Sequence, residues 1–170
     1  PGGFADAHLD TLEHLLRPLG LACKSAIYPR LMINVTDAYL GPTVAREVLG
    51  EGNLVSVQNE FSPRHPGSYG ELRYCDEHGI AFLPWSPLGG TGGGGRTVGE
   101  RFGVFREIGD AHGVSPQQVV LAWELALSDV VVPDPGARRA ASITDSAAAA
   151  DLVLTDDEVS RCSDAVGIER

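Results

Sequence analysis

Short apolar strands alternating with helices predict an α/β fold with a parallel sheet, in a single domain spanning residues 1–170. Three observations carry that prediction. Leu31-Met32-Ile33, Leu54 to Gln58, Ile80 to Leu83 and Val130-Val131-Val132 are apolar runs of strand length. The segments between them show helical spacing and end signals. Apolar residues make up 43% of the chain and charged residues 21%, enough apolar material for one core and too much for a disordered chain.

The elements follow in order. Leu9, Leu12, Leu15 and Leu16 recur at helical spacing, and Pro18 with Gly20 ends that helix. Leu31 to Ile33 follows Pro29-Arg30 and reads as a strand buried on both faces. Thr36 or Asp37 then caps a helix running to Leu49, with Gly50 at its end. Leu54 to Gln58 is the second strand, Ser62 to Ser68 a Pro/Gly-rich loop, and Tyr69 to His78 a helix closed by Gly79. Ile80 to Leu83 is the third strand, followed at once by Pro84-Trp85-Ser86-Pro87-Leu88-Gly89. From Gly89 to Gly95 only Thr91 is not glycine, a run that is costly to order.

The next helix covers Phe105 to His112. Ser115 caps another that runs to Ala126, with Pro116 at the first helical position, where its missing N–H costs nothing. Val130 to Val132 is the fourth strand and Pro133-Asp134-Pro135-Gly136 turns out of it. An Ala-rich helix covers Ile143 to Ala150. The last begins at the capping box Thr155-Asp156-Asp157-Glu158 and runs to about Val166.

Thirteen Lys and Arg against 23 Asp and Glu give a net charge of −10. That balance argues against nucleic acid or an anionic membrane as partner, since both demand positive charge, yet one local basic pocket suffices for a phosphate-bearing ligand. Cys23, Cys75 and Cys162 are too few and too scattered for a disulfide framework, and they read as reduced thiols of a cytoplasmic protein. There is no CxxC pair or helical His pair to suggest zinc. No apolar stretch approaches the ~18 residues of a membrane span. The start at Pro1 rather than Met suggests processing, or a piece of a longer reading frame.

Four stretches carry the chemistry. They are Val57-Gln58-Asn59-Glu60-Phe61, Pro84 to Gly90, His112 to Trp123, and Pro133 to Arg139, each at a strand exit or a helix start. Together, in this order, they resemble the C-terminal half of the aldo-keto reductase family, over about Ile33 to Val166. The resemblance implies part of a (β/α)8 barrel, about four parallel strands with flanking helices, whose chemistry sits at the C-terminal strand ends. It implies an NADP(H) site. Asn34 and Gln58 fall where the nicotinamide carboxamide is held, and Trp85 where an aromatic ring stacks on the nicotinamide. Ser86, Leu88 and Gly89 fall on the loop beneath the pyrophosphate, Arg138 and Arg139 near the adenosine 2′-phosphate, and Asp145 and Ser146 at the adenine.

The sequence also departs from the family pattern. Ile33 stands where the family usually has Ser, which removes one carboxamide hydrogen bond, and Asp134 replaces an apolar residue at the last strand's exit. An acid there repels a phosphate or binds a ribose hydroxyl. No catalytic residue can be assigned. The family's Asp-Tyr-Lys-His set comes from the first half of the barrel, the only lysine here is Lys24, and Tyr28, Tyr39, Tyr69 and Tyr74 match no catalytic position. Without a proton donor a developing alkoxide has no partner, so carbonyl reduction is expected only with a complementary half.

Plainer readings stand beside these. Trp85 can be packing, Arg138-Arg139 a solvated turn, and Gln58 to Glu60 an ordinary strand exit; Trp123 reads as core and the five histidines as surface or helix-end residues. The whole chain can equally be a non-catalytic small-ligand module, a cyclase- or isomerase-type enzyme on a reshaped cleft, or a fragment without activity. An incomplete barrel leaves sheet edges and an apolar face uncovered, so association is expected, as a homodimer or with a complementary barrel half.

Overall fold

The structure, a computed structural model, describes residues 31–34, 41–90 and 94–169. Three strands, β1 (Leu31–Asn34), β2 (Leu54–Glu60) and β3 (Ala81–Trp85), form a parallel sheet in the order β1-β2-β3. The helices are α1 (Pro42–Leu49), α2 (Tyr69–His78), α3 (Gly95–Arg101), α4 (Gly103–His112), α5 (Pro116–Leu127), α6 (Ala140–Ala148) and α7 (Asp156–Val166). The register sets Asn34 opposite Gln58, Gln58 opposite Leu83, and Glu60 opposite Trp85.

The core lies between the sheet and the helices. Val57 and Phe82 on the sheet and Phe61 just beyond it are fully buried against Phe105 of α4 and Val119, Val120 and Trp123 of α5. Trp123 is the hub. It stacks on Phe61 with ring centroids 5.8 Å apart, meets Phe105 edge-on at 5.8 Å, and donates its indole N–H to Ser163 Oγ at 3.1 Å. Cys75 and Cys162 are buried, and burial pushes both thiols up to about 12, which keeps them protonated and unreactive at neutral pH.

The helix ends are mostly those the sequence signals. Ser115 accepts from Gln118 N–H at the start of α5. Thr155 and Glu158 form the reciprocal capping box of α7. Glu158 is held below the usual carboxyl range by the Thr155 backbone N–H and then by His112, whose Nε2 lies 2.7 Å away. α2 and α4 both close on His-Gly, with Gly79 and Gly113 in the left-handed conformation.

Several boundaries differ. The reading that starts a helix at Thr36 or Asp37 and the helix expected before Pro18 lie outside the described residues; α1 is described from Pro42, with Gly41 as its N-cap. α4 begins at Gly103 rather than Phe105, and a separate helix, α3, precedes it. The largest correction concerns the expected fourth strand at Val130–Val132, which is reduced to two parallel bridges, Phe82 to Val131 and Trp85 to Asp134. The cause is in β3. Phe82 N–H donates to Val130 O at 2.8 Å, Val132 N–H to Phe82 O at 2.8 Å, and Asp134 N–H to Pro84 O at 3.0 Å. Residue 84 is proline, so the rung its N–H would supply to Val132 cannot form, and the ladder breaks into bridges. No helix among the described residues is long and apolar enough to cross a membrane.

Candidate functional site

Strand alternation sorts the sheet into two faces. Val57, Asn59, Phe82 and Pro84 face the helices and are buried, whereas Gln58, Glu60, Ala81, Leu83 and Trp85 occupy the opposite face and are half-buried. Val132 is 55% exposed on the same side, so the face away from the helices is open among the described residues. At its C-terminal edge the register makes a row of Glu60, Trp85 and Asp134, with Gln58 and Leu83 in the row behind and Asn34 beside Gln58 in the backbone. The C-terminal ends of parallel strands are where α/β folds place ligands.

Trp85 has a half-buried ring, and its indole Nε1 is buried with no hydrogen-bond partner among the described residues. An unspent buried donor is uncommon, and a ligand acceptor would complete it. Directly after Trp85 the backbone turns sharply. Ser86 is the only non-glycine with positive φ among the described residues, at 55°, and Gly89 N–H closes the turn on Ser86 O at 2.8 Å. Gly89 and Gly90 follow at φ 87° and 77°, a backbone conformation that favours glycine. A Cβ built on Gly94 would stand 2.5 Å from Gly89 O, so the returning chain passes too close for any residue but glycine.

Two cations border this turn that the sequence alone did not single out. Ser62 and His65 bridge each other through two backbone hydrogen bonds, which puts Arg64 at the tip of a tight loop. Its side chain lies beside Gly89, and with Arg101, Leu88 and Gly94 it lines a notch of about 20 Å³. The only signal for Arg64 in the sequence is a lone cation in a Pro/Gly-rich loop. That is too common to stand out.

Arg138 and Arg139 are exposed at the start of α6, where Arg139 is the N-cap residue and no acid occupies the first turn. Neither guanidinium has an ionic partner among the described residues, so a helix N-terminus and two free cations coincide. Asp145 differs from expectation: its Oδ2 accepts from Ser115 Oγ at 2.7 Å, so half of its carboxylate is engaged within the protein. Ser146 is half-buried beside it. The structure thus brings Gln58, Trp85, Ser86, Leu88 and Gly89 to one strand-end cluster and leaves Arg138, Arg139, Asp145 and Ser146 on α6, reached through Asp134. Only the backbone of Asn34 is described, and it belongs to the cluster.

The sequence profile of the aldo/keto reductase family matches residues 42–166. The chain belongs to the aldo/keto reductase family. Curated relatives include pyridoxine 4-dehydrogenase of Escherichia coli, 29% identical over 119 residues that cover 70% of this chain and 40% of the relative. They also include 2,5-diketo-D-gluconic acid reductase B of a Corynebacterium, 34% identical over 66% of this chain and 37% of the relative. A thermostable aldo-keto reductase superposes with a TM-score of 0.66 at 23% identity, over 92% of this chain and 53% of its own. Aldose reductase from Giardia lamblia gives 0.66 at 23% identity, over 96% and 50%. The chain therefore spans about half the length of these solved family members and less of the curated ones. The likeness shows the fold, a parallel α/β arrangement of partial-barrel type.

Proposed function

We propose that this chain is the dinucleotide-gripping part of an aldo/keto reductase barrel, that it binds NADP(H), and that it reduces a carbonyl only when a complementary half supplies the proton. The observation that carries the reading is Trp85, half-exposed with an unspent indole donor and followed at once by the left-handed turn Ser86 to Gly90. Three features support the cofactor: a flat ring, a turn in which a Cβ at Gly94 has no room, and two arginines without an ionic partner among the described residues at a helix start. When bound, the reduced nicotinamide supplies a hydride. Gln58 and Asn34 would hold its carboxamide, Trp85 would flank the ring, Ser86, Leu88 and Gly89 would lie beneath the pyrophosphate, and Arg138 and Arg139 would take the 2′-phosphate. Asp145 and Ser146 border the adenine. Carbonyl reduction also requires a proton at the nascent alkoxide oxygen, and the sequence offers one lysine, Lys24, outside the described residues.

Titration with NADPH tests this by tryptophan fluorescence. Trp123 is fully buried, so quenching on binding reports Trp85. The Arg138→Ala/Arg139→Ala double variant is expected to weaken NADPH about 100-fold, in line with two charge-assisted hydrogen bonds, while changing NADH little. Equal loss for both cofactors sinks the assignment of the arginines, and no quenching in the parent chain sinks the reading itself. Aldehyde turnover by the chain alone should be near background.

The open sheet face supports a second element of the reading, association. Leu83, Trp85 and Val132 are partly exposed on it, and a barrel closes that face with further strands. A second copy or a complementary half meets the need. Light scattering on the eluted protein should give at least a dimer mass; a monomer persisting at tens of micromolar would refute it. Free buried thiols at Cys75 and Cys162 fit a cytoplasmic setting.

A further inference from the structure

We infer that the first turn of α5, Ser115 to Gln118, is the positioning element of the dinucleotide site, tying α6 and the Gly94–Gly95 backbone that packs on Gly89 to one rigid helix. The inference rests on the NADP(H) reading above and adds residues to it. An N-cap needs only that Ser115 Oγ accept the Gln118 N–H, which it does at 3.0 Å. Here every polar side chain of the turn also reaches out to another element. The Ser115 hydroxyl donates to Asp145 Oδ2 at 2.7 Å, and Gln118 Nε2 donates to Ala148 O at 3.1 Å. One flank of the turn thus holds α6 at its middle and at its last residue.

Gln117 lies about 100° round the helix from Gln118 and points the other way. Its Nε2 donates to Gly95 O, the first residue of α3 and the neighbour of Gly94, which packs on Gly89 of the left-handed turn. Pro116 seals that side. A Cβ on Gly99 would lie 2.9 Å from Pro116 Cγ, so α3 packs directly on the proline ring. Ser115 and Gln118, three residues apart, share the α6 flank, while Gln117 serves the other. The pyrophosphate and the 2′-phosphate of a dinucleotide are joined through one ribose, which bounds their separation, and the two segments that would receive them are anchored to one helical turn. Ser115, Gln117 and Gln118 are positioning residues: none needs to touch the ligand.

The test uses the full chain, hydrogen exchange by mass spectrometry, and two probes, NADPH and 2′-AMP, the latter keeping the 2′-phosphate but carrying no 5′-phosphate, pyrophosphate or nicotinamide. Ser115→Ala should speed exchange in 140–148 and weaken both probes about tenfold, the effect of one hydrogen bond, with Ser115→Thr restoring both. Asp145→Ala cuts the same bond from the other side without disturbing the cap, and should speed exchange in the same segment if Ser115→Ala fails to fold. Gln117→Ala should speed exchange in 94–101 and weaken NADPH about tenfold while leaving 2′-AMP unchanged. Unaltered exchange in 140–148 for both Ser115→Ala and Asp145→Ala, or an equal loss of both probes in Gln117→Ala, overturns the inference. If the parent chain binds neither probe, the cofactor reading fails, and the exchange pattern alone still decides whether the turn anchors the two segments.

Discussion

Glu124→Met is expected to raise the unfolding temperature at pH 7 by several degrees, with a gain that shrinks as the pH falls toward 4. Glu124 sits mid-way along α5 with no exposed surface, and neither carboxylate oxygen has a partner among the described residues. Burial raises its pKa well above the usual carboxyl range. The sign of the pH dependence follows. Between the ordinary carboxyl pKa and the raised one, the unfolded chain has lost the proton and the folded chain keeps it. Stability is therefore full below the unfolded value and declines as pH rises through that window. An unsatisfied buried polar group costs about 1–3 kcal/mol, which at ~2–4 °C per kcal/mol for a chain of this size sets the size of the gain. Glu124→Gln removes the ionisation but keeps unpaired polar atoms, so it should flatten the pH dependence with a smaller gain. Thermal unfolding from pH 4 to 8 reads all three proteins. A methionine variant less stable than its parent at pH 7 would mean that the carboxylate has a partner.

One residue earlier, the opposite outcome is expected. Trp123→Ala should cost about 3–5 kcal/mol, a drop on the order of 10 °C in unfolding temperature. Against a typical stability of ~5–15 kcal/mol, that leaves the variant close to unfolding. The ring is fully buried, touches Phe61 and Phe105, and its N–H satisfies Ser163. Its removal takes away the surface that joins β2, α4, α5 and α7. Trp123→Phe keeps a ring for Phe61 to stack on and should lose less than half as much. It also leaves Trp85 as the sole fluorophore for the titration. Denaturant unfolding of both variants checks the ranking, and a loss below 1 kcal/mol for the alanine variant would show that the aromatic cluster is not what holds these elements together.

Local signals made much of the fold legible. Capping boxes, His-Gly helix ends and proline at a first helical turn are short-range devices, which is why α2, α5 and α7 match expectation within a residue or two. The apolar run Val130–Val132 reads as a strand but forms only bridges, because such a run says nothing about its neighbour. What breaks that ladder is a proline in β3, a partner that only the fold identifies. The strand-end cluster of Gln58, Trp85 and Gly89 could be found by motif, since each residue stands at the exit of an apolar run. Arg64 could not, because its relevance comes from a two-residue bridge that swings it toward Gly89. Nor could the hold of Ser115 on Asp145, thirty residues away.

The proline in β3 has a consequence for how the molecule breathes. Among the described residues three backbone hydrogen bonds fasten the stretch from Val130 to Asp134 to β3, and this stretch leads into the two arginines. Such a margin opens at a lower free energy than the paired strands beside it. Amide exchange over 130–134 is therefore expected to outpace that over β2 and β3.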